Sequence, residues 1–582
     1  MSTAAACALL VAVPAGQYRT LNDRFAPPHA TSRAGWEQRA AAVRDHVLAS
    51  AGLLPLPERT PLRAVVSEER QQQGYRVSRV YFESLPGFFV TGNLYRPDGE
   101  GPFPAVLSAH GHWPYGRLEH NDLMSGPGRA MTLARQGFVV FAHDMIGYND
   151  SRQLTHSFGG RDEYLWGLSL AGLQLWNSMR AVDFLESLPY VRQNAIGMTG
   201  ESGGGTQTFL LAAVDPRIAA AVPVNMISLH MQGGCLCENP PGLRLDTTNV
   251  EIAATIAPRP LLMVSATGDW TKDTLNAEFP AVRALYDLLD ARARVRAVQF
   301  MAPHNYNKDS REAMYAWMAQ WLQGKPAAER VAEPAFTPDS LQDLLVFHGR
   351  LLPDGAATAA SLTGAWIDAA RRQLDSTPLA VRATALRHAL TFYGTAPPPA
   401  PGGASAGDRR PRRPVLLAGG VAGYARALQS AGFAVQQIPA MPFDTAAAAT
   451  VRHFDTYNRT PASQRVADIV EALRATPDAI VVAAGNEALA AVLAAAVEWP
   501  RLVIADVGGF DTDRDGDFLE HAYVPGLRRA GDFRTASEVA RGRIVIHNAG
   551  AVFAAPGARV ERRTLSPTEV VGLVREASRG SR

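Results

Sequence analysis

The residues best suited to chemistry lie around position 200, where the chain reads AIGMTGESGGGTQTF. A short apolar run ends at a Gly-Glu-Ser-Gly-Gly segment centred on Ser202, and a helix-like run follows. A serine hydroxyl is a poor nucleophile near neutral pH, so it needs a base and an exposed position. The pattern Gly-x-Ser-x-Gly between a strand and a helix supplies the position, because small residues allow a turn tight enough to project the serine. This context favours a catalytic Ser202 over a glycine-rich turn without chemistry.

The acid and the histidine that activate such a serine should follow it in the chain. Asp269 comes just after the apolar run PLLMVSA, and His304 lies between the last predicted strand and the last predicted helix of this half. We expect His304 to act first as general base and then as general acid. Asp269 would hold the tautomer of His304 and stabilise the imidazolium. Asp273 is the alternative acid, although its position also fits the start of the next helix.

The oxyanion of an acyl-transfer reaction needs two hydrogen-bond donors. The first is the backbone N–H of Gly203, because in this turn the residue after the nucleophile supplies it. The second should come from the loop after the strand PAVLSA, which begins with the segment HGHW. Within that segment we expect the N–H of His112 to be the donor, with Gly111 as the alternative.

Metal-binding patterns in the sequence are weak. His110, His112 and His120 have no carboxylate at ligand spacing. Two cysteines one residue apart could bind a metal or pair locally, and three cysteines make no disulfide framework. We therefore expect neither a metal nor a cofactor. The cysteines are Cys7, Cys235 and Cys237.

Further side chains near the predicted nucleophile could contact a substrate, because they follow predicted strands at the same sheet edge. Trp113 and Trp270 stand beside the oxyanion loop and the acid, and an aromatic wall suits sugar rings and other acyl pockets alike. Hydrogen bonds that fix loops are the alternative role for the polar members. The candidates are His110, Trp113, Tyr148, Glu201, Glu238, Asn239 and Trp270.

Short strands alternating with helices must position these residues. GYRVSRVYFES and GFFVTGNLYRP alternate like two antiparallel strands joined by a turn. Six apolar runs then alternate with helical segments, and this pattern predicts an α/β fold with a mostly parallel, doubly wound sheet. The six runs are PAVLSAHGH, FVVFAHD, AIGMTG, AAAVPVN, PLLMVSATGD and VRAVQFMAPH.

The second half of the chain repeats this pattern. PAVLSAHG followed by TLARQGFVVFAHD corresponds to PVLLAGG followed by ALQSAGFAVQQIP, and DPRIAAAVPV corresponds to WPRLVIADVG. In this register Ser202 corresponds to Glu487, and no histidine follows His547. We therefore predict a catalytically inactive copy that covers the first domain, shapes its cleft or makes a dimer contact. Residues 395–414, rich in Pro and Gly, are predicted to form a loop within this copy.

The length of 582 residues exceeds a single ordinary core, so several domains are expected. A hydrophobic fraction of 47% and a charged fraction of 19% fit packed domains rather than disorder. We predict an N-terminal extension with a helix that packs on the first domain, a catalytic domain, a linker and the inactive domain. Their predicted bounds are 1–60, 61–325, 326–345 and 346–582.

The charge and hydropathy of the chain exclude some partners. The formal net charge of +2 favours neither nucleic acid nor an acidic partner surface. No apolar run reaches the roughly 20 residues that span a bilayer. Residues 4–15 resemble the apolar part of a signal peptide, but no Lys or Arg precedes them. We expect no nucleic acid or membrane partner, and both a cytoplasmic and an exported location stay open.

Several motifs together resemble bacterial α/β-hydrolases of the acetyl xylan esterase-like and dienelactone hydrolase-like groups. They are HGHW, HDMIGYNDS, GESGGG, GDW and HNYNKDSREAMYAW, and the resemblance covers roughly residues 60–325. It implies an α/β-hydrolase fold followed by a second, degenerate domain of the same type, with Ser202, Asp269 and His304 as the catalytic triad. It also implies cleavage of small acyl esters, often acetyl groups on plant polysaccharides or their fragments.

Two other functions remain open at this point. A serine peptidase or amidase could use the same machinery, although the sequence has no repeat of about 40–50 residues that would build the N-terminal propeller of many such peptidases. A non-catalytic binding or scaffold protein fits the second half, but the complete set of nucleophile, acid and base argues against it for the whole chain.

Overall fold

A computed structural model describes residues 18–393 and 414–579 of the chain. The chain divides into two units. Of the described residues, the first unit comprises Leu21–Pro240 and Thr247–Arg372, and the second comprises 18–20, Pro241–Asp246, 373–393 and 414–579. The apolar segment 4–15, Cys7 and all but the last residue of the Pro/Gly-rich stretch 395–414 lie outside the described residues. In the described part, no helix combines the length and apolarity needed to cross a membrane.

The first unit is built on a ten-stranded sheet, with a separate two-stranded sheet formed by β6 and β7. The strands are β1 (Val65–Val66), β2 (Arg70–Gln72), β3 (Tyr75–Leu85), β4 (Phe88–Pro97), β5 (Phe103–Ser108), β6 (His120–Asn121), β7 (Met124–Ser125), β8 (Val139–His143), β9 (Val191–Glu201), β10 (Ile218–Val224), β11 (Leu261–Ala266) and β12 (Val295–Phe300).

The order of strands in the large sheet is β1-β3-β4-β8-β5-β9-β10-β11-β12, and β2 pairs with β3. The predicted hairpin is β3 and β4, which pair antiparallel, and β4 also pairs antiparallel with β8. From β8 to β12 every pairing is parallel. The predicted mostly parallel sheet is therefore confirmed, and the carboxyl ends of β5, β9, β11 and β12 share one edge.

Helices cover this sheet. β8 is buried along its whole length, as expected of an apolar strand covered on both faces. α8 begins after Asn307, whose side chain accepts the Ser310 N–H, and it ends at Gly324 in the left-handed conformation. The helices are α1 (Arg33–Ser50), α2 (Gly126–Arg135), α3 (Arg161–Leu165), α4 (Leu170–Ser187), α5 (Gly203–Val214), α6 (Asn249–Ala254), α7 (Glu278–Asp287), α8 (Lys308–Gln323), α9 (Leu341–Leu344) and α10 (Ala359–Ser376), which crosses the boundary between the units.

A hydrophobic core lies between the sheet and helices α2 and α8. It joins Val106 of β5 and Val140 of β8 to Leu133 of α2 and to Trp317 and Met318 of α8. α1, predicted within residues 1–60, contacts α5 and α6 of the same unit. These packed layers fix the strand ends that carry the candidate site.

Residues 326–345 do not form the predicted linker. Glu333 pairs with Arg311 at 2.6 Å, and both side chains are buried. The carbonyl of Leu344 accepts hydrogen bonds from Asn93 and Arg117, at 2.9 and 3.1 Å. The first unit therefore continues to Arg372. The sequence pattern missed this because the segment is held by contacts with residues distant in the chain, and its one helix, α9, is only four residues long.

The second unit is built on a six-stranded sheet in which every pairing is parallel, in the order β14-β13-β15-β16-β17-β18. The strands are β13 (Val415–Ala418), β14 (Val435–Gln437), β15 (Ile480–Ala484), β16 (Leu502–Asp506), β17 (Arg543–His547) and β18 (Arg559–Val560). The helices are α11 (Leu379–Ala389), α12 (Ala422–Ser430), α13 (Thr445–Thr450), α14 (Phe454–Tyr457), α15 (Pro461–Ala475), α16 (Asn486–Ala494), α17 (Asp515–His521), α18 (Asp532–Val539) and α19 (Pro567–Arg579).

The two sheets share one topology over six strands. In the first unit these strands are ordered β8-β5-β9-β10-β11-β12 across the sheet. In both sheets the second strand in the chain lies at one edge, the first lies beside it, and the remaining four follow in chain order. Both sets are parallel throughout. The topology agrees with the matched sequence segments, and no antiparallel hairpin flanks the second sheet in its described residues.

Candidate active site

Ser202 occupies a sharp turn between β9, which ends at Glu201, and α5, which begins at Gly203. Its φ and ψ are 55° and −121°, a strained conformation for a residue with a side chain. The turn is also tight, because a Cβ added to Gly204 would lie 2.8 Å from the carbonyl oxygen of His110. Strand, positive-φ serine and helix together make the geometry of a nucleophile elbow.

His304 and Asp269 form a hydrogen-bonded pair beyond the ends of β12 and β11. Nδ1 of His304 lies 2.8 Å from Oδ2 of Asp269. Oδ1 of the same carboxylate accepts the N–H and the hydroxyl of Thr271, at 2.7 and 2.5 Å. The carboxylate is thereby fixed, and it fixes the tautomer in which Nδ1 of His304 carries the proton.

The other ring nitrogen of His304, Nε2, is buried and has no hydrogen-bond partner among the described residues. The ring of Trp270 packs on the imidazole with a centroid distance of 4.4 Å. Asp273, the alternative acid, instead meets Arg24 at 3.2 Å in an exposed ion pair. The geometry therefore pairs His304 with Asp269.

The loop after β5 closes over the turn at Ser202. A Cβ placed on Gly111 would lie 3.1 Å from the Cβ of Ser202. The backbone N–H groups of His112 and Gly203 make no hydrogen bond within the described residues. The N–H of Gly111 differs, because it donates to Oε1 of Glu201 at 2.7 Å. Gly111 is therefore not available as the alternative oxyanion donor, whereas His112 and Gly203 are.

Glu201 does not face a substrate, in contrast to the prediction from sequence. Its side chain is fully buried, and Oε2 accepts a hydrogen bond from Arg129 at 2.8 Å. Oε1 accepts the N–H of Gly111 and the indole N–H of Trp113, at 2.7 and 3.0 Å. Arg129 also donates to the Ala109 carbonyl at 2.7 Å. This buried ion pair ties the oxyanion loop to the nucleophile turn, and it occupies the only polar atom of the Trp113 side chain.

His110 is also unsuited to substrate binding. It is fully buried. Its Nδ1 lies 2.7 Å from the Gly111 carbonyl, and its Nε2 accepts the N–H of Met145 at 2.9 Å. Burial lowers its pKa well below the ordinary value, so the ring stays neutral. Tyr148, half-buried, packs edge-on against His110, and burial raises its pKa to about 12.

Glu238 and Asn239 hold their own loop together instead of reaching outward. Oε2 of Glu238 accepts the N–H groups of Gly234 and Cys235, at 2.8 and 3.0 Å. Asn239 donates to the carbonyls of Gly233 and Cys235, and both Glu238 and Asn239 are buried. These contacts match the alternative interpretation, in which the two residues form hydrogen bonds that fix the loop.

Sequence reasoning missed Arg129, whose role depends on a partner 72 residues away. It also missed a cluster of four metal-ligating side chains. His112, His156, Cys235 and Cys237 each place one ligand atom within 4.8 Å of the others. A hydrogen bond with Cys237 lowers the pKa of Cys235 below its usual range, whereas burial raises the pKa of Cys237. The Cys-x-Cys spacing signalled this cluster only weakly, since His156 gives no signal at all.

The corresponding turn of the second unit carries no hydroxyl. β15 ends at Ala484, and Gly485 has φ and ψ of 68° and −142°, close to those of Ser202. α16 then begins at Asn486. Backbone conformation therefore aligns Ser202 with Gly485, two residues before the Glu487 that the sequence register selected. The first turn has glycine on both sides of Ser202, whereas the second has the single glycine Gly485, so the glycines do not mark equivalent positions in the two turns.

Comparisons with known proteins agree with this geometry. Residues 179–275 match the family model for the C-terminal domain of BAAT and acyl-CoA thioester hydrolases. A protein of Bacillus subtilis (strain 168) named "Putative hydrolase YtaP" is 27% identical over 291 residues, which are 46% of this chain and 95% of that protein. Acyl-coenzyme A thioesterase 3 of Mus musculus is 30% identical over 165 residues, which are 28% of this chain and 32% of the thioesterase.

A solved structure is similar as well. Methylesterase BT1017 superposes with a TM-score of 0.51 at 29% sequence identity, covering 60% of this chain and 78% of that one. These relatives agree with the sheet order and with the strand–turn–helix geometry at Ser202. The chain has an α/β-hydrolase fold, and the proteins that it resembles are hydrolases, esterases and thioesterases.

Proposed function

We propose that the first unit is a serine esterase that hydrolyses small acyl esters, above all acetyl esters, through Ser202, His304 and Asp269. The observation that carries the proposal is the pair of Asp269 and His304. One ring nitrogen is held by a carboxylate, and the other is buried with no hydrogen-bond partner among the residues that the structure describes. Both lie at the sheet edge that carries the strained turn of Ser202. A general base needs this combination of a fixed tautomer and an unused lone pair.

The proposed reaction begins when Nε2 of His304 takes the proton of the Ser202 hydroxyl while Oγ bonds to the ester carbonyl carbon. Negative charge develops on the carbonyl oxygen, where the N–H groups of Gly203 and His112 would donate. The imidazolium returns its proton to the leaving alcohol as the C–O bond breaks, which leaves an acyl-enzyme. His304 then deprotonates water, which attacks the acyl carbon and releases the carboxylic acid and free Ser202.

A carbohydrate ester is the substrate class we favour. Trp270 lies against His304 with a centroid distance of 4.4 Å, so an aromatic ring on which a sugar could pack is available beside the general base. The likeness to a methylesterase supports a small ester group. In a methyl ester the small group is the alcohol rather than the acyl group, and the same mechanism applies to it.

Thioester hydrolysis is the second candidate function. The segment that matches the thioester hydrolase family contains both Ser202 and Asp269. The same mechanism applies with a thiol in place of the alcohol as leaving group. The two candidates differ in leaving group and in acyl length, which direct measurement separates.

The test compares initial rates on p-nitrophenyl acetate, butyrate and octanoate, acetylated and methyl-esterified oligosaccharides, acetyl-CoA, long-chain acyl-CoA and a p-nitroanilide as the amide. A fluorophosphonate probe reports on the nucleophile. Wild type should be labelled at Ser202 and prefer acetate, and Ser202→Ala should lose labelling and turnover while remaining folded. Substantial turnover by folded Ser202→Ala would refute the mechanism. Preference for acyl-CoA would establish the thioesterase instead, and preference for an amide the peptidase.

Asp269→Asn and Asp273→Asn form a matched pair. The first removes the carboxylate that fixes His304, and a comparable change in a serine protease lowers kcat about 10⁴-fold. The second touches only an exposed ion pair with Arg24, so its rate should stay within about twofold of wild type. Equal losses in both variants would contradict the assignment of Asp269 as the acid.

If neither the wild type nor the variants hydrolyse any substrate or react with the probe, the chain is better studied as a binding protein.

We further propose that the second unit is a catalytically inactive copy. Its turn residue is Gly485, which has no hydroxyl, and the sequence holds no histidine beyond His547. His547 itself is buried, with Nδ1 accepting the N–H of Leu565 at 3.3 Å. A structural role, such as shaping the catalytic unit's surroundings or forming a dimer contact, is compatible with these features.

A further inference from the structure

Four side chains from three separate loops converge beside the oxyanion loop. His112 follows β5, His156 lies between β8 and α3, and Cys235 and Cys237 follow β10. One ligand atom from each lies within 4.8 Å of the others. Nε2 of His112 lies 3.1 Å from Sγ of Cys237, across 125 positions in the sequence. No step of the proposed ester hydrolysis uses either cysteine or His156.

The spacing of these atoms suits a tetrahedral metal ion. Zinc binds thiolates at about 2.3 Å and imidazoles at about 2.0–2.1 Å, so ligand atoms around it lie roughly 3.3–3.8 Å from one another. A cluster confined within 4.8 Å needs only small side-chain adjustments to reach that geometry. Two sulfurs and two imidazole nitrogens form a donor set that selects zinc over hard cations such as magnesium or calcium.

His156 supplies an independent observation. Its Nδ1 lies 2.6 Å from the carbonyl oxygen of Ile146, so Nδ1 carries the proton and Nε2 carries the lone pair. That Nε2 is buried and has no hydrogen-bond partner in the described part of the chain. Metal-binding histidines are usually held in this way, with the distal N–H donated to a carbonyl or carboxylate. The ring of Tyr148 packs edge-on against His156 and fixes its plane.

We propose that His112, His156, Cys235 and Cys237 bind one divalent transition-metal ion of the zinc class. Four protein ligands leave no open coordination position, so the site is of the structural type. Cys237 is buried, Cys235 and His156 are half-buried, and His112 is exposed, which leaves the ion a path from solvent. This revises the expectation of a metal-free protein, because the histidines that matter are His112 and His156, not His110 and His120.

The ion would hold the oxyanion loop in place. The ring of His112 lies against the nucleophile turn, since a Cβ on Gly203 would come within 2.6 Å of its Cε1. Tying that ring to the loop of Cys235 and Cys237 fixes the backbone of His112, whose N–H is a proposed oxyanion donor. This consequence rests on the proposed function: removing the metal should lower kcat with little change in KM. Metal binding itself does not depend on that function.

Binding is tested on the full chain, purified under reducing conditions and treated with a chelator. Zn²⁺ is titrated in competition with a chromophoric chelator, and Co²⁺ is added separately as a spectroscopic probe. We expect one ion per chain, and for Co²⁺ a thiolate charge-transfer band with the intense visible absorption of tetrahedral coordination. Wild-type protein without stoichiometric binding, or bound Co²⁺ without the thiolate band, would overturn the proposal.

Variants locate the ion. Cys235→Ser, Cys237→Ser and His156→Ala should each weaken Zn²⁺ binding by at least tenfold, whereas Cys7→Ser and His120→Ala should bind as wild type does. Undiminished affinity in folded Cys235→Ser would exclude the site. A disulfide between Cys235 and Cys237 in freshly isolated protein that contains no metal would also exclude it, since both thiols must be free to bind. Where a variant does not fold, the wild-type Co²⁺ spectrum decides.

The two proposals fail separately. Stoichiometric metal binding without fluorophosphonate labelling of Ser202 would leave the metal site standing and refute the esterase. Labelling of Ser202 and ester turnover without metal binding would support the esterase and refute the metal site.

Discussion

Replacing Glu201 by Gln tests whether this residue positions the oxyanion loop or contacts substrate. The change keeps the shape of the side chain and removes its charge, so Arg129 is left as a buried cation without its anion. The side chains of the pair are 0% and 1% exposed. Breaking such a pair costs about 3–5 kcal/mol.

The structure indicates the lower end of that range. Arg129 keeps hydrogen bonds to the Ser108 hydroxyl at 3.0 Å and to the Ala109 carbonyl at 2.7 Å. Its guanidinium also lies 4.6 Å from the centroid of the Tyr306 ring. A loss of about 3 kcal/mol lowers the folded-to-unfolded ratio roughly 150-fold, and it lowers the Tm of a unit of roughly 350 residues by about 4 °C.

The assay combines thermal unfolding with steady-state kinetics on the best ester. Glu201→Gln should lower Tm by about 4 °C and lower kcat, because the Gly111 N–H loses its charged acceptor. Adding Arg129→Met should recover much of the stability, since no unpaired charge then remains. Glu37→Gln, in an exposed pair with Arg33, is the matched control and should be neutral. An unchanged Tm with a raised KM would refute this reasoning and return Glu201 to substrate binding.

Two further predictions concern the rest of the chain. Glu487→Ala, in the second unit, should leave kcat and KM on the ester within about twofold of wild type, and a large loss with the fold retained would show that this unit takes part in catalysis. Burial lowers the pKa of His143 to about 4, so between pH 4 and about 6.5 the unfolded chain binds the proton that the folded chain does not. Stability is therefore lost as pH falls, by about 2 kcal/mol between pH 8 and pH 5. In His143→Leu, the free energy of unfolding measured in urea should change less with pH. An equal pH dependence in both proteins would show that His143 is not the group responsible.

The sequence was informative wherever a residue's role follows from its place on a strand or turn. The alternation of apolar runs predicted the parallel sheet, and Ser202, Asp269 and His304 stand at strand ends as their spacing predicted. These features depend on local pattern and chain order, which one sequence displays.

Roles that depend on distant partners could not be predicted. Glu201 looks like a site residue in the sequence, and only the burial of Arg129 beside it shows that it holds a loop. Glu238 likewise turns inward to the N–H groups of its own loop. The cysteine pair became interpretable only once folding brought His156 next to it. The error of two residues in aligning Glu487 arose because sequence similarity does not report φ, whereas Gly485 shows it.

The turn that the two units share has a consequence for how this chain can change over time. At the same bend, one unit keeps a side chain in a backbone region that costs about 1–3 kcal/mol, and the other has glycine, for which that region carries no such cost. Selection for folding alone favours glycine at both bends. A serine at this bend therefore lowers folding stability relative to glycine, and only a use of its hydroxyl offsets that cost.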